Sequence, residues 1–247
     1  SANAKINIKY SGSVKNMTGV LDVFTGKNLM QDGILPIPVT LPFKRPGGGP
    51  ALSEPYHALS QGTVRFVGQP LAIVVAESRE QALQAAEYLE VEYEEYPAVT
   101  GLLEATEPEA PLLCSDLPDN IAASETLGNQ QEVEEIFSNA HHVTRMELIN
   151  NRLVGSPLEP RGLICNSHPD NGTFVLHASH QSATRLHSSL CSIFKFQPEQ
   201  LRVIVGDLGG GFGTKLAIYP EDVLVVYAAK KLNRPIKWTA TRTEEFQ

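Results

Sequence analysis

In the segment Gly206-Asp207-Leu208-Gly209-Gly210-Gly211-Phe212-Gly213-Thr214-Lys215, four of the five residues from Gly209 to Gly213 are glycine and the other is Phe212. Each glycine costs backbone entropy on folding, so a plain connection gains nothing from such a run. The chain there needs positive φ angles or very close approach to another group. The phosphate loop of nucleotide hydrolases wants glycine directly before its lysine, and the dinucleotide fingerprint wants glycine three residues after its second; Thr214 stands in both places. Both templates fail on register. What remains is a wall without side chains, with an aromatic ring at its crest, that offers backbone N–H groups to an anionic or oxo ligand.

Two further islands carry polar groups with unusual neighbours. In Asn150-Asn151-Arg152-Leu153-Val154-Gly155-Ser156-Pro157-Leu158-Glu159-Pro160-Arg161-Gly162, prolines flank Glu159. Its carboxylate and the Arg161 guanidinium are either the ion-paired ends of a rigid turn or part of a site. His180-Gln181 falls at the end of an expected strand and just before an expected helix, where α/β architectures place ligands and where an ordinary cap is also common. His141-His142 follows an acidic helix; adjacent imidazoles point in different directions, and a helix C-terminus favours them without any metal. Lys44-Arg45-Pro46-Gly47-Gly48-Gly49-Pro50 is an anion nest or a surface excursion. Cys114, Cys165 and Cys191 are spaced 51 and 26 apart with no CxxC pair. They read as free thiols and cannot close a zinc or iron–sulfur site alone.

The elements that must position these residues mix helix and strand. Val20–Phe24 reads as a strand, 33–55 as loop, Thr63–Pro70 as an alternating strand, and Leu71–Ala76 as a strand buried on both faces. Ser78 with Gln81 forms a capping box for a helix carrying Ala82, Leu83, Ala85 and Ala86, and Leu89–Tyr93 follows as a strand, so the three elements predict a right-handed βαβ unit. Residues 100–124 lack periodicity and hold several prolines, which predicts separable halves. Beyond them the pattern predicts a helix over Gln130–Ala140, a strand over Val143–Ile149, and a hairpin of Leu163–Asn166 with Thr173–Ser179 around Asn171-Gly172. A helix over Ser182–Phe194, a strand over Leu201–Val205, a helix over Glu221–Leu232 with Val223, Val226, Tyr227 and Lys230 along it, and a strand over Ile236–Thr239 complete the chain.

The 247 residues are 42% hydrophobic and 19% charged, enough for a folded core. Twenty Lys and Arg against 28 Asp and Glu leave a net charge of −8, which gives no reason to approach phosphate backbones or anionic lipid. Nucleic acid and membrane are therefore not expected as partners. Neither a spanning apolar run nor a secretory leader is visible, so a soluble protein is expected, and free thiols in a chain that needs no disulfide point to the cytoplasm.

Read in order, the islands resemble a known family. Thr63–Ala76 with Leu89–Val99 resembles the hammerhead domain of the xanthine dehydrogenase and aldehyde oxidase family of molybdenum hydroxylases. Pro157-Leu158-Glu159-Pro160-Arg161-Gly162, His180-Gln181-Ser182 and Gly209–Lys215 resemble the opening of its molybdopterin-binding region. Asn150–Val154 and Tyr219-Pro220-Glu221 lean toward the carbon-monoxide-dehydrogenase-like branch. The resemblance implies an α+β chain: an α/β hammerhead domain at 1–105, a linker at 106–125, and the first part of a mixed α/β molybdopterin-binding domain at 126–247.

It also implies the site. Gly210, Gly211, Phe212 and Gly213 would pack on the molybdenum centre of a molybdopterin cofactor, as cytosine dinucleotide or a related form. Gln181 would hydrogen-bond the metal's apical oxygen, so Gln181 and Phe212 are the residues expected nearest the metal. The metal would be held by the cofactor's dithiolene sulfurs. The reaction implied is hydroxylation of an aldehyde, a heteroaromatic ring or a similar small molecule, with water as oxygen donor. Iron–sulfur and FAD groups would sit on partner domains or subunits. Thr214 stands where family members often carry glycine, and Leu216 where the xanthine-oxidising branch carries a substrate-binding glutamate. The family's catalytic base is a glutamate near the C-terminus of a much longer subunit, so this chain is expected to be one piece of it, inactive alone and completed by the C-terminal half. A non-catalytic module that uses the glycine loop for an anion, or for assembly, is the alternative, and molybdenum in the full-length product would separate the two.

Overall fold

The computed structural model describes residues 1–9, 12–39, 43–46, 48–51, 54–114, 117 and 119–246. Its elements run β1 (Ala4–Lys9), α1 (Gly12–Lys15), β2 (Val20–Thr25), α2 (Gly26–Gln31), β3 (Thr63–Val64), β4 (Ala72–Ala76), α3 (Arg79–Ala86), β5 (Glu90–Glu95), α4 (Gln130–Asn139), β6 (Gly162–His168), β7 (Thr173–Ala178), α5 (Ala183–Phe194), β8 (Leu201–Ile204), α6 (Pro220–Leu232) and β9 (Ile236–Thr239). The first half holds two small antiparallel sheets, β3-β1-β5 and β2-β4; the second holds one sheet in the order β8-β7-β6-β9. The whole is α+β, as expected.

The expected βαβ unit does not form. β4 pairs antiparallel with β2, and β5 pairs antiparallel with β1, so α3 crosses between two sheets and β4 and β5 are not a parallel pair. Complementary charges explain the choice: β1 places Lys5 opposite Glu94 and Lys9 opposite Glu90, and Lys5 ion-pairs with Glu94 while Lys9 ion-pairs with Glu92 on the diagonal. β4 is not buried on both faces, since Val75 alone of its residues is fully buried. The strand expected over Thr63–Pro70 stops after Val64. The Arg65 backbone N–H donates to the Gln69 side chain at 2.7 Å, and Gly68 takes φ +95°, so the chain turns instead of extending. The Ser78 capping box on α3 is present, with the Gln81 N–H donating to Ser78 Oγ at 3.2 Å.

Residues 100–124 are strapped down. Arg45 ion-pairs with Asp119 at 3.1 Å and donates to the Ile121 carbonyl at 2.6 Å, and the Ser124 N–H donates to the Lys44 carbonyl at 2.7 Å. The Asn120 side chain ties Leu113, Ala105 and Pro111 together. Arg45 is thereby committed to the chain; Gly47 of the proposed nest lies outside the described residues, as do Ser115, Asp116 and Pro118 of the connecting segment.

In the second half the hairpin forms as expected, with Leu163 opposite Ala178 and His168 opposite Thr173. Ser182 caps α5 by accepting from the Arg185 N–H at 3.2 Å, and Leu186, Leu190, Ile193 and Phe194 bury its apolar stripe. α6 differs from the single stripe its spacing suggested: from Val223 to Ala229 every residue is buried. The reason is its central place, between β6 and β9 on one side and the first half on the other. Phe24 packs edge-on against Tyr227, with ring centroids 5.2 Å apart, and one continuous core joins Phe24, Leu29, Leu59 and Val75 to Leu176, Leu186 and Val226.

The two halves share this core, where the composition of 100–124 suggested separable units. Tyr227 donates its hydroxyl to Asp32, which Lys231 also pairs at 3.0 Å, and this bond holds the Asp32 carboxyl below its ordinary range. Tyr227→Phe removes a hydrogen bond to a charged group and is expected to cost about 1.5 kcal/mol. Thermal unfolding should shift as a single transition; two resolved transitions would show that the halves melt independently.

The strand expected over Val143–Ile149 is absent. Among the described residues nothing pairs with this segment, and Met146, Leu148 and Ile149 are exposed, as are Val133, Ile136 and Phe137 on α4.

Candidate functional site

The site is built at one end of the four-stranded sheet. β7 and β8 are parallel neighbours, so the residues leaving both strands emerge together. β6 runs antiparallel to β7 and β9 antiparallel to β6, so the segment entering β6 and the segment leaving β9 arrive at the same end. Topology alone thus collects Pro157–Arg161, Ser179–Ser182, Gly206–Lys215 and Ala240–Glu245.

Within this cluster the glycine loop makes close approaches. A Cβ at Gly211 would lie 2.6 Å from both Cδ and Oε1 of Gln181, and one at Gly209 would lie 2.5 Å from Cβ of Glu159. Gly210 and Gly213 take φ of +99° and +83°, the left-handed region that a side chain disfavours, and Phe212 between them is held at +49°. Its ring is 77% exposed. The turn is closed by Thr214, whose N–H and hydroxyl both donate to the Gly211 carbonyl, at 2.9 and 2.8 Å. The Gln181 N–H donates to the Lys215 carbonyl at 2.8 Å, which joins the two segments.

Four successive backbone N–H groups, those of Gly210, Gly211, Phe212 and Gly213, have no protein acceptor among the described residues. The Gln181 side-chain amide likewise has no protein partner among them. Donors in such number beside a wall without side chains fit a large ligand that carries oxygen or negative charge.

Several buried groups hold this arrangement from behind. Lys215, whose side chain is fully buried, donates to Glu159 Oε2 at 2.7 Å, and the Gly209 N–H donates to the same oxygen at 2.8 Å. These two donors, the lysine first, hold the Glu159 carboxyl below its usual range. His180 accepts from the Ser182 N–H at Nδ1, so its proton sits on Nε2, where it donates to the Ala217 carbonyl at 3.2 Å. Burial pushes that imidazole below its ordinary pKa, and the residue beside Gln181 is a neutral strut.

Arg161 is buried between Glu221 and Glu245, each at 3.1 Å, with its guanidinium carbon 3.8 Å from the Tyr219 ring centroid. Tyr219 in turn donates its hydroxyl to the Thr214 carbonyl at 2.7 Å. Arg242 donates to the carbonyls of Pro157 and Leu158 at 2.6 and 2.8 Å. Asp222 caps α6 by accepting from the Tyr219 N–H at 2.8 Å, and its burial raises the carboxyl to about 7.

Gln181 and Gly211 are brought into contact, while Gly210 packs near Pro157 and the Phe212 ring and Gly213 faces open space. Glu159 and Arg161 both form ion pairs, with residues 50 or more positions away in the chain. The Glu159–Lys215 pair and the Arg242 clamp carry no sequence signal, because a buried lysine and a surface one are spelled alike. Among the described residues no group of three His, Cys, Asp or Glu side chains is placed to hold a metal. All three cysteines are unpaired, and burial pushes the Cys165 thiol up to about 12.

Residues 114–247 match the molybdopterin cofactor-binding domain, and residues 1–97 the aldehyde oxidase and xanthine dehydrogenase a/b hammerhead domain. The carbon monoxide dehydrogenase large chain of Afipia carboxidovorans is 28% identical over 99% of this chain and 30% of its own length. The nicotine 6-hydroxylase large subunit of Paenarthrobacter nicotinovorans is 32% identical over 76% of this chain and 23% of its own. The crystal structure of quinoline 2-oxidoreductase from Pseudomonas putida 86 superposes with a TM-score of 0.86 at 30% identity, over 99% of this chain and 30% of that one. The chain thus spans about a quarter to a third of the length of these relatives.

Proposed function

Because the chain belongs to the aldehyde oxidase and xanthine dehydrogenase family of molybdopterin enzymes, we propose that it is the hammerhead domain and the first part of the molybdopterin-binding domain of an oxidoreductase large subunit. The parts are residues 1–105, a connecting segment at 106–125, and 126–247. The observation that carries the reading is the Gln181 amide laid on Gly211 beside four unengaged backbone N–H groups.

Those residues fit a molybdenum–molybdopterin group. Gly210, Gly211 and Gly213 would provide a face that meets such a group without a Cβ, and the loop's N–H groups and the Gln181 amide would offer it neutral donors. The exposed Phe212 ring at the crest of the loop would offer an apolar surface to a small substrate. When bound, the group supplies the two-electron oxidation that converts a C–H bond and water into C–OH, two protons and two electrons. This chain binds and orients; the base that moves the proton is assigned to the C-terminal half of the subunit. The exposed apolar residues of α4 and the segment 143–154 support that half as the covering partner.

Extending the family reading, the substrate is an aldehyde, a heteroaromatic ring or a similar small molecule, the pterin is a cytosine dinucleotide or related form, and the electrons leave through iron–sulfur and FAD groups on partner subunits. Among the described residues no helix is long and apolar enough to cross a membrane, and we place the enzyme in the cytoplasm.

Gln181→Ala in the full-length subunit tests the assignment. Loss of one outer donor is expected to lower turnover by roughly 10–100-fold while molybdenum stays bound. Unchanged turnover with full metal would remove Gln181 from the site, and a wild-type subunit devoid of molybdenum would return the chain to the reading of an anion-binding or assembly module.

A further inference from the structure

Glu159 and Lys215 come from segments 56 positions apart and meet directly beneath the glycine loop. The Lys215 side chain is wholly buried, whereas that of Glu159 is 40% exposed, so the pair spans from the interior to the loop's underside. Its contacts run to both halves of the site. Glu159 Oε2 accepts from the Gly209 N–H, one residue before the four open donors, and the Gly209 carbonyl accepts from the Glu159 N–H at 3.4 Å. On the other side, the Lys215 carbonyl accepts from the Gln181 N–H. One ion pair therefore touches the start of the loop, the end of the loop and the residue that faces it.

We propose that the Glu159–Lys215 pair is the positioning device of this site, setting the distance between the Gln181 amide and the donors of Gly210–Gly213. This role rests on the reading that those donors face a bound cofactor. A buried ammonium has few partners, and among the described residues its only side-chain partner is Glu159. The lysine cannot move without stranding its charge, so the backbone carbonyl it carries is fixed, and with it Gln181. Lys215 is wholly buried and the Glu159 carboxylate is engaged by Lys215 and the Gly209 N–H, so the pair acts through the loop and not on substrate.

Replacing Glu159 alone leaves the buried Lys215 ammonium uncompensated and disturbs the fold for that reason, whereas replacing both with apolar residues of similar size is close to neutral for stability. The test is therefore the double variant Glu159→Leu/Lys215→Met in the full-length subunit, read by thermal midpoint, by amide hydrogen exchange at Gly209 and Gln181, and by the Mo(V) electron paramagnetic resonance spectrum. Expected are a midpoint near wild type, exchange at both amides faster by at least about tenfold, an altered Mo(V) spectrum, and turnover lower by roughly 10–100-fold. A double variant with wild-type exchange, spectrum and turnover would overturn the proposal and leave the pair a structural bond. If the wild-type subunit holds no molybdenum, the cofactor reading fails, and the exchange rates still decide whether the pair anchors the loop.

Discussion

Gly211→Val is expected to strip molybdenum from the full-length subunit, by more than about tenfold in metal content, while the fold survives. The Gly211 backbone lies in an ordinary region of φ, so the variant pays no conformational strain there; what it meets is the Gln181 side chain, 2.6 Å from the new Cβ. Those are the far atoms of a flexible, exposed side chain, which swings away at little cost to stability. The swing removes the amide from the wall, and the two valine methyls stand where the cofactor's face would lie. Gly213 offers the contrast. Nothing lies within 4 Å of a Cβ there, but φ is +83°, so Gly213→Ala meets strain of about 1–2 kcal/mol and displaces no group. Molybdenum content beside the circular dichroism spectrum separates the two effects; full metal in Gly211→Val would show that the loop is only a connection.

Arg161→Leu is expected to cost about 3–5 kcal/mol, because it leaves two carboxylates at the edge of the core without their cation. Glu245 accepts from both the Arg161 side chain and its backbone N–H, and Glu221 from the other arm of the guanidinium. The Tyr219 ring beneath loses its cation as well, and with it part of the support for the Thr214 carbonyl. Denaturant unfolding of the variant, and of the same variant carrying Glu221→Gln and Glu245→Gln, measures this directly. The added pair of changes should recover most of the loss. A loss below about 1 kcal/mol in the single variant would mean that the cluster is solvated and unimportant.

How much of this was legible beforehand follows from the range of each signal. Local chemistry read well: the Ser78–Gln81 capping box, the Asn171-Gly172 turn and the Leu186–Phe194 stripe depend on residues within a turn or two of one another. Pairing at distance read poorly. A strand, a helix and a strand in succession suggested a parallel unit, yet β4 and β5 joined different antiparallel partners, and the deciding charges on Lys5 and Lys9 sit more than 80 residues away. The apolar run Val143–Ile149 has strand composition but no partner among the described residues, and composition cannot supply one. The prolines of 100–124 suggested a free connection, whereas Arg45 and Asn120 pin it.

The same division holds in the site. An improbable density of glycine made Gly209–Gly213 conspicuous without any alignment, and Gln181 was visible through its place at a strand end. That they would touch required the parallel register of β7 and β8. Lys215 could be named as the loop's last residue, but its burial against Glu159 belongs to tertiary structure alone.

The central claim is that this chain forms one wall of a molybdopterin site, and the most direct test is metal and pterin analysis of the purified wild-type full-length subunit. The account predicts molybdenum and pterin in equal amounts, approaching one of each per polypeptide. A folded, full-length subunit that contains neither would contradict it.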